Sequence, residues 1–87
     1  MNIYVGNLNY KVSENDLKGV FEEYGTVSSV KIITDKFTGR SKGFGFVTID
    51  DESDAARAIK ELNGATLENR EMVVNEARPR KESHDQY

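Results

Sequence analysis

Residues 42–49 read Lys42-Gly43-Phe44-Gly45-Phe46-Val47-Thr48-Ile49. Side chains alternate between the two faces of a β-strand, so this stretch places Phe44, Phe46 and Thr48 on one face and Val47 and Ile49 on the other. Both faces are apolar, but one is aromatic and the other aliphatic. The rest of the chain has to show which of them is buried.

Upstream, Val27–Thr34 is rich in β-branched residues and reads as a strand, joined to 42–49 by the polar loop Asp35–Ser41. Further back, Asn2–Leu8 carries Ile3, Tyr4 and Val5 and closes on the turn formers Gly6 and Asn7. Between these strands Ser13 stands three residues ahead of Asp16, close to a capping box. Leu17, Val20, Phe21 and Tyr24 then recur at helical spacing before Gly25. The pattern predicts a helix over Glu14–Tyr24, with Gly25 as a left-handed stop. Downstream, Asp50, Asp51 and Glu52 favour a helix start. Ala55, Ala58, Ile59 and Leu62 repeat the helical stripe as far as Asn63 and Gly64. A polar connection containing Asn69 and Arg70 leads to a last strand, Met72–Ala77, which Pro79 ends. The order is β, α, β, β, α, β, an α+β arrangement.

Splitting every strand by phase settles the burial. One phase is aliphatic throughout: Ile3 and Val5, Val30 and Ile32, Val47 and Ile49, Met72 and Val74. Two helices with one apolar stripe each need such a surface, so this phase is the expected core. The other phase holds Tyr4, Lys31, Ile33, Lys42, Phe44, Phe46, Thr48, Val73 and Asn75, and no third helix is left to cover it. Burying Phe44 and Phe46 instead would strip the helices of an aliphatic partner in all four strands. Uncovered aromatic rings in a patch mark a binding face. With lysines beside them, they suit single-stranded nucleic acid, whose unstacked bases lie on rings while phosphates meet cations.

The charge distribution is consistent with that reading. The chain has 87 residues and a net charge of −3, which on its own disfavours a polyanionic partner. The predicted helical stretches 13–24 and 50–62 hold nine acids and three bases, whereas the remaining residues hold nine bases and six acids. The molecule is therefore bipolar, and a binding site responds to its local field. One small domain is expected over 1–80, with a polar, flexible tail over 81–87. There is no cysteine to staple it or to hold a thiolate-bound metal, and no apolar run long enough for a membrane span or signal core. The expectation is a cytoplasmic domain, monomeric when free, with no membrane partner.

At the quoted residues the chain resembles the RNA recognition motif family. The six-residue motif of that family appears as Ile3-Tyr4-Val5-Gly6-Asn7-Leu8 and the eight-residue motif as residues 42–49. Thr38–Ser41, Leu62–Gly64 and Val74–Pro79 are also similar to it. The resemblance implies a ferredoxin-like sandwich, with a four-stranded antiparallel sheet in order 4-1-3-2 and both helices on one face. It implies bases stacked on Tyr4 and Phe46, Phe44 near the sugars and Lys42 at a phosphate. Specificity and further contacts would fall to Lys31, Arg40, Val73, Asn75, Arg78, Arg80 and Lys81. Ile49 departs from a position often aromatic in the family, and the phase analysis assigns it to the core. Phe37 is expected to fold against its own hairpin, an extra stacking platform being the sharper alternative. Such domains in cyanobacterial and plant proteins imply RNA chaperoning or transcript stabilisation, with single-stranded DNA as a related ligand. A protein-binding module using the sheet or the acidic helix face is the alternative.

Signals for catalysis are weak. His84 is the only histidine and falls in the tail, so no enzymatic role is expected. The acids at 50–54 suit a helix start better than a metal, and Gly43-Phe44-Gly45 lacks the third glycine and following helix of a dinucleotide site. No cofactor and no metal are expected.

Overall fold

The computed structural model describes residues 1–77, and Arg78, Arg80, Lys81 and the tail lie outside that range. The elements are β1 (Asn2–Gly6), α1 (Glu14–Glu22), β2 (Val27–Thr34), β3 (Ser41–Ile49), α2 (Glu52–Leu62), a short hairpin of β4 (Thr66–Leu67) and β5 (Arg70–Glu71), and β6 (Val73–Glu76). The main sheet runs β2-β3-β1-β6, with every pair antiparallel. With β6 as the fourth long strand, this is the expected ferredoxin-like order, read from the other edge.

The aliphatic phase is the core. Ile3, Val5, Val47, Ile49 and Val74 are fully buried, and Ile32 and Met72 nearly so, against Leu17 and Phe21 of α1 and Ala55, Ala58 and Leu62 of α2. Val30, on an edge strand, is only partly buried against this cluster. Ile49 lies in the core, as its phase requires.

Four local expectations are corrected. α1 stops at Glu22, because the Tyr24 amide turns back to the Phe21 carbonyl (3.0 Å) in the tighter bonding common at helix ends. Gly25 is not left-handed; it is needed because a Cβ there would come within 2.6 Å of the Asp54 Cβ. α2 begins at Glu52, with the Asp51 carboxylate accepting the Asp54 amide (3.0 Å) as N-cap. The connection after α2 holds the β4–β5 hairpin, whose turn residues Glu68 and Asn69 both have positive φ, as in the primed turns of two-residue hairpins. Glu-Asn is a weak sequence signal for such a turn.

Candidate nucleic-acid interface

β-Pairing brings residues from four strands into one line. Lys31 is opposite Phe46, Phe46 opposite Tyr4, and Tyr4 opposite Asn75. This transverse row lies on the face that carries no helix. Phe44 completes the aromatic platform: the ring centroids of Tyr4 and Phe44 are 6.1 Å apart, Tyr4 and Phe46 5.9 Å, and Phe44 and Phe46 6.3 Å. The rings meet edge-on or tilted, the arrangement their quadrupoles favour, so they brace one another while their outer surfaces stay open. Phe46 is 37% exposed, and Tyr4 and Phe44 are half-buried by their neighbours.

Two backbone features shape the platform. A Cβ on Gly6 would lie 2.5 Å from the Tyr4 hydroxyl, so the tyrosine ring lies down along its own strand over a residue that offers no side chain. In β3, Gly43 has φ 89°. Ile32 pairs with Gly45 and Thr34 with Ser41, so β3 spends more residues than β2 between these rungs and bulges at 42–44. The Gly43 carbonyl accepts the Leu8 amide (2.8 Å), tying the bulge to the end of β1.

Val73, 42% exposed, and Asn75 flank the platform on the β6 side, and Lys31 on the β2 side. Lys42 and Arg40 line a concavity beside Phe44. The structure therefore gathers Tyr4, Lys31, Lys42, Phe44, Phe46, Val73 and Asn75 on or beside the face, with Arg40 at its loop end. Phe37 is 95% exposed, which overturns the expectation that its ring folds against the hairpin. The Asp35 carboxylate accepts the Phe37 (2.7 Å) and Thr38 (3.2 Å) amides, and this turn points the ring into solvent. Those two bonds, helped by Lys42 and opposed by slight desolvation, hold the Asp35 carboxyl below its usual value.

Sequence reading gives no binding role to Tyr10, Asn7 or Arg70, yet all three border the platform. Arg70 donates to Asn7 Oδ1 (2.6 Å) and Asn7 Nδ2 to the Glu71 carbonyl (2.6 Å), fastening the β4–β5 hairpin to the end of β1. An aromatic in a polar turn was the available signal for Tyr10. Among the described residues, no group of three or more His, Cys, Asp or Glu side chains is placed to hold a metal, and no helix is long and apolar enough to cross a membrane.

Comparison with known proteins agrees with this geometry. The family model described as "RNA recognition motif" matches residues 3–73. RbpA of Synechocystis sp., named for RNA binding, is 51% identical over 80 residues, covering 92% of this chain and 79% of its own. A 28 kDa chloroplast ribonucleoprotein of Spinacia oleracea is 47% identical over 81 residues, covering 91% of this chain and 35% of its own. Among solved structures, RNA binding protein PG1 superposes with a TM-score of 0.89 at 56% identity, covering 92% of this chain and 96% of that one. A Sex-lethal protein/RNA complex superposes at 0.86 with 37% identity, covering 93% of this chain and 48% of that one. Both motifs, the strand order and the match across most of the chain converge, and the chain belongs to the RNA recognition motif family.

Proposed function

We propose that this chain binds single-stranded RNA on the open face of its sheet. The observation that carries the reading is the cluster of Tyr4, Phe44 and Phe46, three mutually braced rings on a face that no helix covers, with Lys31 and Asn75 in register on either side. Bases stack on Tyr4 and Phe46, the sugars pass Phe44, and Lys42, Lys31 and Arg40 meet phosphates. Asn75 offers hydrogen bonds to a base edge and Val73 an apolar flank. Arg78, Arg80 and Lys81, outside the described residues, are the other basic residues proposed for phosphates.

Each stacked base contributes about 1–3 kcal/mol, and ordering a flexible strand opposes this, so the affinity is near micromolar, about −8 kcal/mol. Duplex is a poorer ligand because its bases already stack on one another. Single-stranded DNA presents the same base faces to the same rings, and only contacts to the 2′-hydroxyl separate the two. The domain acts by binding rather than catalysis, as a monomer in the cytoplasm, where holding RNA single-stranded suits chaperoning or stabilising transcripts.

The test is the double variant Phe44→Ala/Phe46→Ala, titrated with short single-stranded RNAs while backbone amide NMR shifts are followed. Wild-type shifts centre on Tyr4, Phe44 and Phe46, and the variant loses binding while keeping its dispersed spectrum. A variant that keeps binding, or wild-type shifts elsewhere, moves the reading to a protein partner.

A further inference from the structure

Among the described residues, Tyr10 is an exposed aromatic side chain that borders the platform and has no part in the RNA contacts proposed for the sheet. It is 68% exposed, in the turn between β1 and α1, and its ring edge lies 3.6 Å from where a Cβ on Gly43 would stand. That places it next to the β3 bulge, with Lys42 and Phe44 on either side of Gly43 in sequence. Two concavities meet at these residues. One, of about 510 Å³, opens towards the β2–β3 loop between Tyr10, Arg40, Lys42 and Phe44. The other, of about 220 Å³, runs back to Tyr4 and Arg70. They share Tyr10, Lys42 and Phe44, and together make a groove that runs from Tyr4 past Phe44 to Tyr10.

The turn carrying Tyr10 is held rigidly. Asn9 accepts the Lys11 amide on its side-chain oxygen (2.9 Å), donates from its side-chain nitrogen to the Glu68 carbonyl (3.0 Å), and its own carbonyl accepts the Val12 amide (3.0 Å). With the turn's backbone already fixed, only the side-chain torsions of Tyr10 remain to be ordered when a flat ligand covers the ring. The groove is also basic in an acidic molecule: Lys42, Arg40 and Arg70 face a single acid, Asp35, whose carboxylate is engaged by two backbone amides. Arg70 uses one guanidinium nitrogen on Asn7 and keeps other donors free to turn towards the groove.

We infer that Tyr10 is a further stacking platform, additional to Tyr4 and Phe46, and that the groove between it and Phe44 takes one further nucleotide of the same RNA, its base on the Tyr10 ring and its phosphate among Lys42, Arg40 and Arg70. This rests on the RNA reading of the sheet and extends its footprint beyond the three rings.

The experiment measures fluorescence anisotropy of labelled mixed-sequence RNAs of about three and about six nucleotides, the shorter just filling the sheet rings. The proteins are wild type, Tyr10→Ala, Tyr10→Phe and Phe44→Ala/Phe46→Ala. Tyr10→Ala is expected to match wild type on the short RNA and to bind the long one about tenfold more weakly, the effect of losing one stacked base. Tyr10→Phe keeps wild-type affinity for both, and thermal melts of both variants match wild type because the ring is outside the core. Equal binding of wild type and Tyr10→Ala to the long RNA overturns the inference while leaving the sheet reading standing. A Tyr10→Ala loss equal on both lengths also overturns it, since the ring would then be propping the β3 bulge rather than holding a base. Undiminished binding by Phe44→Ala/Phe46→Ala, in contrast, removes the sheet reading and this inference with it.

Discussion

The Tyr4 ring owes its position to a hydrogen atom. Because Gly6 has no Cβ, the phenol lies along β1 and presents its face next to Phe44 and Phe46. Gly6→Ala puts a methyl group 2.5 Å from the hydroxyl, so the ring has to lift or rotate. The helices pack on the opposite face, and the expected outcome is RNA affinity reduced by up to about tenfold, the equivalent of one disturbed stack. The folded spectrum is kept and the largest chemical-shift change falls on Tyr4. A loss of fold would mean that the small residue serves the core.

At the scale of elements, caps and loop ties set what the helices and hairpins present. In α1, Ser13 Oγ accepts the Asp16 amide (3.1 Å) and Asp16 accepts the Ser13 amide (3.0 Å), a reciprocal box at the helix start. Ser13→Ala should cost about 1 kcal/mol in a urea melt without altering RNA binding, since the helix lies behind the sheet. The β2–β3 loop depends on one carboxylate. Asp35 holds the Phe37 and Thr38 amides, and because its folded pKa lies below the ordinary 3.8, the order it gives is fully present above that value. It is lost as pH falls through the lowered folded value. Hydrogen exchange at Phe37 and Thr38, corrected for the intrinsic pH dependence, should therefore lose protection only on the acid side of 3.8, and Asp35→Asn should weaken it at neutral pH. Both sheet edges are also tied to helix ends: Glu14 accepts the Ile32 amide of β2 (3.1 Å) and Asn63 the Val74 amide of β6 (3.0 Å). An edge amide already bonded is a poorer template for a neighbouring strand, which supports the monomer proposed above.

For the whole molecule the governing quantity is the separation of charge. The helical stretches are acidic while the sheet face and its loops carry Lys31, Arg40, Lys42 and Arg70, so a chain of net charge −3 still offers phosphates a basic side. If about three phosphates are neutralised, log affinity falls against log salt with a slope near −2, from about −0.7 per contact on single strands. Titrations across a salt series check this. A slope near zero would leave stacking alone to account for binding.

Periodicity by itself determined the element order, the aliphatic core and the aromatic face, because a period of two in strands and 3.6 in helices converts residue type directly into direction. Tyr4, Phe44 and Phe46 were legible as one site for that reason, and Ser13 with Asp16 as a cap. Only the tertiary structure decided what depends on residues far apart in the chain. Register placed Lys31, Phe46, Tyr4 and Asn75 in one line. The Asp54 side chain across from Gly25 explained that glycine, where local rules gave a left-handed stop. Asp35 turned Phe37 outward, and the β3 bulge at Gly43 brought the turn carrying Tyr10 beside Phe44. Alternation is a local property of the backbone, whereas bulges, loop ties and close approaches arise when distant segments compete for the same space, and a linear pattern carries no record of that competition.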